Sequence, residues 1–165
     1  MTDHLRTRHI TSAPAFASSY QKEYYILEID DPSGLPKSID VAGDYFTALI
    51  VWDAKGVSAD VISQLARQLI DAGCDYFCTW GGDCERVHDI IDAEWVGDGT
   101  TPLGKPGLMT TWHDKDTLDE AVDFAVHHAL SMDIPEEEHP SVVAICIGAP
   151  HWTAEVERLF LRKVS

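Results

Sequence analysis

Tyr45-Phe-Thr-Ala-Leu-Ile-Val-Trp52 is an unbroken apolar run, and between Ser58 and Gly73 the residues Val61, Ile62, Leu65, Ala66 and Leu69 fall on one helical stripe. A short run with no polar face reads as a strand buried on both sides, and a strand followed by an amphipathic helix begins a β-α-β unit. Ser58 is suited to cap that helix, and Gly73 to end it in a left-handed conformation. The pattern recurs along the chain. Cys74–Trp80 is a second strand, followed by a helix capped by Asp83 with Val87, Ile90, Ile91 and Trp95 inward. Leu108–Trp112 is a third strand, and Thr117 with Glu120 forms a capping box ahead of a stripe through Leu118, Ala121, Val122, Ala125, Ala129 and Leu130. Val142–Ile147 is a fourth, and Thr153 caps a last helix carrying Val156, Leu159 and Phe160. Four successive βα units predict an α/β fold, a single three-layer sandwich with a mainly parallel open sheet, flavodoxin-like or Rossmann-like. For these four strands the natural order is 2-1-3-4.

Outward from this frame the pattern weakens. Tyr24–Ile29 reads as a further strand, expected at an edge, closed by the turn residues Asp30-Asp31-Pro32-Ser33-Gly34. Residues 1–23 show no sustained period and are expected to form an N-terminal arm or irregular lead-in, leaving 24–165 as the single α/β domain. At 165 residues with 45% hydrophobic content, one core is the expectation and two domains are not.

Twelve Lys and Arg stand against 28 Asp and Glu, a formal charge of −16, which disfavours a nucleic-acid backbone or an anionic membrane as partner. From Asp114 to Glu138 nine acids meet one base, a net −8, read as a solvated acidic helix face. No apolar run approaches the roughly 20 residues of a membrane span, and the first residues lack the apolar core of a secretory signal, so a cytoplasmic protein is expected. Its four cysteines include no C-x-x-C pair, and reduced thiols follow.

In open parallel sheets, ligands gather beyond the carboxyl ends of the strands. The residues that follow the strands here include Trp52-Asp53, then Trp80-Gly81-Gly82-Asp83-Cys84-Glu85, then Trp112-His113-Asp114, then Gly148-Ala149-Pro150-His151-Trp152. Four of the five tryptophans lie at this edge. They serve either as plugs over the strand ends or as the walls of a pocket, with Trp80, Gly81, Gly82, Asp83, Trp112, Asp114 and Trp152 as candidate ligand-binding residues.

Gly81 and Gly82 between strand and helix allow a tight turn and a close approach, and would present N–H groups to an acidic ligand. A dinucleotide is disfavoured, because the full G-x-G-x-x-G spacing is missing and Asp83 and Glu85 would repel a pyrophosphate. Cys84 in the first helical turn is a candidate nucleophile whose pKa the helix dipole would lower, with His113 or His151 as its base and Asp114 or Asp53 orienting the ring. Cys84 also shares a face with Val87, Ile91 and Trp95, which is the reading of a small core residue. Cys84 and His88 stand at i and i+4, a pair that could hold zinc or iron with a further histidine, but no paired-ligand motif accompanies them and no metal is assigned. His127 follows Asp123 by four, an ordinary surface pair. Gly99-Thr-Thr-Pro-Leu-Gly-Lys105-Pro106 imitates a phosphate-binding loop, but Pro106 replaces the magnesium-binding hydroxyl and the segment precedes a strand.

The stretch Cys78-Thr-Trp-Gly-Gly-Asp-Cys-Glu-Arg-Val-His-Asp89, with Met109-Thr-Thr-Trp-His-Asp114 downstream, resembles a family of small uncharacterised bacterial α/β proteins. The resemblance covers the second and third βα units and implies that these segments belong together. It carries no activity and no cofactor.

Two functions follow from the residues. The first is a small ligand or ion bound at the carboxyl edge, where aromatic walls and carboxylates suit a planar or cationic molecule. The second is a non-catalytic acidic interaction protein, of immunity or inhibitor type, that occupies a basic partner surface.

Overall fold

The computed structural model describes residues 7–14, 21–97, 107–130 and 134–164. Six strands form one sheet: β1 (Arg8–Pro14), β2 (Gln21–Ile29), β3 (Phe46–Trp52), β4 (Cys74–Trp80), β5 (Met109–Trp112) and β6 (Ser141–Ile147). Four helices accompany them: α1 (Ala59–Ala72), α2 (Cys84–Val96), α3 (Leu118–His127) and α4 (Pro150–Val164). The sheet order is β1-β2-β6-β3-β4-β5, parallel throughout except for antiparallel β1. The fold is α/β with a mostly parallel open sheet.

The strands predicted to be parallel are parallel, but their order is not the expected 2-1-3-4. The last of them, β6, lies between β2 and β3. Its seven residues Ser-Val-Val-Ala-Ile-Cys-Ile are all buried, and a strand with no polar face is most stable in mid-sheet. Polar β5, Met-Thr-Thr-Trp, has exposed or half-exposed residues throughout and takes the edge. Tyr24–Ile29 is not the edge strand it was expected to be, because β1 pairs with it from Arg8 to Pro14. The N-terminal stretch, expected as an arm or irregular lead-in, therefore contains a strand. A bulge at Ile10 breaks its alternation, and Pro14 is tolerated at the end of an edge strand. Arg8 clasps Glu157 with both guanidinium NH2 groups, at 2.8 and 3.2 Å, and so ties β1 to α4.

Helices cover both faces. Ile62, Leu65, Ala66 and Leu69 of α1 with Val87 and Ile91 of α2 pack on Phe46, Ala48, Ile50, Val143 and Ile145. Ala121, Val122 and Ala125 of α3 with Val156, Leu159 and Phe160 of α4 pack on Leu49, Val51, Val142 and Ala144. The alternation along β3 and β6 thus feeds two cores. Ser58 caps α1 through Val61 N–H at 3.3 Å, Gly73 ends it with φ 111°, and the Thr117–Glu120 capping box opens α3.

Three helix ends differ from expectation. Asp83 precedes α2 but its side chain accepts no capping bond; it is left-handed at φ 64° and pairs with Arg86 at 3.3 Å. Helix α4 starts at Pro150, whose missing N–H costs nothing in a first turn, so Thr153 is a buried interior residue. Helix α3 ends at His127, leaving Ala129 buried beyond it and Leu130 exposed. The phosphate-loop mimic at 99–106 lies outside the described residues.

Candidate functional site

Parallel strands deliver their following residues to one edge, and the loop after β4 is built for close approach to the loop after β3. Gly81 has φ 112°, and a Cβ there would stand 2.1 Å from the Trp52 carbonyl oxygen. The Gly82 carbonyl accepts a hydrogen bond from Ala54 N–H at 2.9 Å. A Cβ on Gly82 would meet Asp53 Oδ1 at 2.1 Å, so a carboxylate already lies against the glycine pair. The two glycines lock neighbouring loops together where the sequence suggested a cradle for an acidic ligand.

Cys84 is 2% exposed. Burial pushes its thiol above the ordinary value; hydrogen bonding from the His113 backbone opposes this, and Asp114 adds a smaller rise. The expected low-pKa nucleophile is instead a thiol held in its neutral form, because the cost of burying a charge exceeds the helix-end attraction. All four cysteines are buried and unpaired.

His113 is buried as well, and both ring nitrogens are engaged. Nδ1 lies 2.8 Å from Asp116 Oδ2, an acceptor, so Nδ1 carries a proton. In the neutral ring Nε2 is then the acceptor for the Thr111 hydroxyl at 3.0 Å. The ring packs on Phe124 at 4.8 Å. Asp116 also receives Trp80 Nε1–H on its backbone carbonyl at 2.9 Å, and Trp80 meets Trp152 edge-on at 5.1 Å. Trp80, His113 and Trp152 therefore close the α3/α4 side of the sheet as a hydrogen-bonded plug. His151 is exposed on the first turn of α4, with its ring 5.3 Å from Trp152 and β3 between its strand and that of Cys84. The candidate base His151 is therefore apart from Cys84, while His113 meets the Cys84 thiol through its backbone and commits both ring nitrogens to Asp116 and Thr111.

Trp112 goes elsewhere. The register pairs Thr79 with Trp112, so Trp112 takes the face opposite to Trp80. It is 44% exposed, and its ring lies 4.5 Å from that of His88 on α2. His88 Nδ1 bonds Asp89 at 2.9 Å, its Nε2 stands 3.5 Å from Asp92, and Asp92 accepts from Thr110 Oγ1 at 2.5 Å. These contacts show the use of His88: it links α2 to β5, where the sequence offered it as a metal partner of Cys84. Among the described residues no three His, Cys, Asp or Glu side chains group as a metal site.

The carboxylates at this edge are turned outward. Asp53, Asp83, Glu85, Asp89 and Asp114 are exposed, with Lys55 3.9 Å from Asp53 and Arg86 holding Asp83. Hydrogen bonds from Ser33 keep Asp31, beyond β2, below the ordinary carboxylate range. The α3 portion of the acidic block differs, because Asp119 bonds Arg162 and Lys163 of α4, and Asp123 faces Lys163 at 3.5 Å and His127 at 3.2 Å. Arg162 and Lys163 thus offset part of the α3 charge that looked unopposed in sequence.

Sequence reasoning missed one buried pair. Asp75 Oδ1 accepts from His139 Nε2, both residues are under 5% exposed, and Asp75 Oδ2 has no partner. Asp75 is the bulged residue where β4 slips against β3, at the amino end of the sheet. An acid inside an otherwise apolar strand was the signal. The pair pins the segment before β6 to β4.

No helix among the described residues is long and apolar enough to cross a membrane. Comparison with curated proteins gives no match. A family model described as a domain of unknown function, DUF7684, matches residues 24–163, from β2 almost to the end of α4. The match spans most of the sequence, and the chain belongs to the DUF7684 family.

Proposed function

We propose that this chain is a non-catalytic interaction protein that docks a basic partner on the acidic, tryptophan-bearing carboxyl edge of its sheet. The observation that carries the reading is the division of groups at that edge. Cys84 and His113, two of the three groups offered for chemistry, are buried, while His151, Trp112 and the carboxylates of Asp53, Asp83, Asp89 and Asp114 face solvent. Exposed carboxylates and an exposed indole on one end of a sheet suit cationic side chains, and a chain of charge −16 steers a basic partner toward itself. The parallel sheet, which brings the residues that follow its strands to one end, supports the choice of edge. A small-molecule site at the same edge is supported less well, since the inward groups already bond each other.

The test uses decalysine as a model basic partner and follows its binding to the full chain against salt. Neutralising the edge (Asp53→Asn, Asp83→Asn, Asp89→Asn and Asp114→Asn together) should weaken binding at least about tenfold and flatten its salt dependence. Neutralising Asp119 and Asp123 to Asn should change it little. Equal binding by wild type and the edge variant would overturn the reading.

A further inference from the structure

We infer that the partner also engages the lateral edge of the sheet as a strand added to β5, an extended segment with basic and apolar residues in alternation; this rests on the reading above and carries the contact from the carboxyl ends of the strands, where Asp114 follows β5, along the open side of that strand. The backbone of β5 supplies the first argument. His113 N–H donates to the Thr79 carbonyl at 2.9 Å, so odd-numbered residues of β5 turn their backbone groups toward β4. The N–H and C=O groups of Thr110 and Trp112 therefore point away from the sheet. Among the described residues no strand pairs with that side. An edge with outward donors and acceptors is a template for a further strand.

The side chains set the occupant. Thr110 and Trp112 project toward α2, as their contacts with Asp92 and His88 show. The flank of α2 on that side carries Glu85, Asp89 and Asp92, spaced as one helical face. Alternate residues of an added strand would run beside this acidic flank, where Lys or Arg is complementary. The intervening residues would fall on the opposite face with Met109, which is 37% exposed, where an apolar side chain is complementary. A second copy of the chain fits poorly, since pairing β5 with β5 would bring two acidic flanks together at a formal charge of −16 each.

The probe is acetyl-(Val-Lys)4-amide, titrated into the full chain labelled with 15N. Three comparison ligands are the same peptide N-methylated at every second residue, acetyl-(Val-Glu)4-amide and decalysine. Strand addition predicts that the Val-Lys peptide shifts the Thr110 and Trp112 amides and slows their hydrogen exchange, and that N-methylation weakens it about tenfold by removing backbone bonds. Thr110→Pro is the matched variant. Its lost N–H faces outward, so the β4 ladder stays intact and the fold is kept, while binding of the Val-Lys peptide falls by a similar factor and decalysine binding stays. Equal binding of the methylated and unmethylated peptides, or by the Thr110→Pro chain, would overturn strand addition and leave the acidic-edge reading standing. Failure of decalysine and the Val-Lys peptide together, or equal binding of the Val-Glu peptide, would overturn both.

Discussion

Trp80 and Trp112 occupy matching places in sequence, each after a threonine at the end of a strand, yet one joins a plug and the other faces solvent. Trp80 is fastened to Asp116 and Trp152 on the α3/α4 side, while Trp112 lies on His88 at the open flank of α2. A one-residue offset in register separates them, and in a sheet one residue exchanges faces. The two regions divide the work of the edge. On one side polar groups are spent on holding the fold; on the other, carboxylates and an indole face are left for a partner.

The largest expected effect lies at the glycine pair of the inward region. Gly81→Ala puts a Cβ against the Trp52 carbonyl in a left-handed conformation and should cost more than about 3 kcal/mol in chemical denaturation. Gly82→Ala meets only the movable ends of Asp53 and Lys55 and should cost much less. His113→Ala removes a buried ring together with its bonds to Asp116 and Thr111, at about 2–3 kcal/mol. Trp112→Ala, in the outward region, should cost less than about 1 kcal/mol and leave the fold intact. If Trp112→Ala were as damaging as His113→Ala, the division between the regions would fail.

An exposed ion pair gives the smallest expected effect. Hydrogen bonding from Arg8 holds the Glu157 carboxyl below its ordinary value. Its contribution is present above the ordinary carboxylate range and is lost as the pH falls through the lowered value. The stability gap between wild type and Glu157→Gln should therefore be open at neutral pH, under about 1 kcal/mol, and closed in strong acid. A gap unchanged with pH would show that the Arg8–Glu157 clasp adds nothing.

Strand–helix alternation and caps were legible because they are local: Ser58, Gly73 and the Thr117–Glu120 box do what their sequence positions imply. Sheet order was not, since β3 and β6 are both apolar on two faces, and nothing local tells that the last strand passes to the far side of β3 to pair with β2. β1 was hidden by its bulge and polar residues. The edge itself was legible, because parallel strands must deliver their ends together. Whether Cys84 and His113 would face inward was not, because burial and register decide it, and neither can be read from a spacing.

Site-resolved alkylation of Cys84 in the native protein as a function of pH tests most directly whether the chemical groups of this edge are turned inward. Cys84 is expected to stay unreacted through the ordinary thiol range, at about pH 8.5, and to be labelled only on unfolding. Rapid labelling of Cys84 in the folded chain below that pH would contradict it and restore the reading of a poised nucleophile.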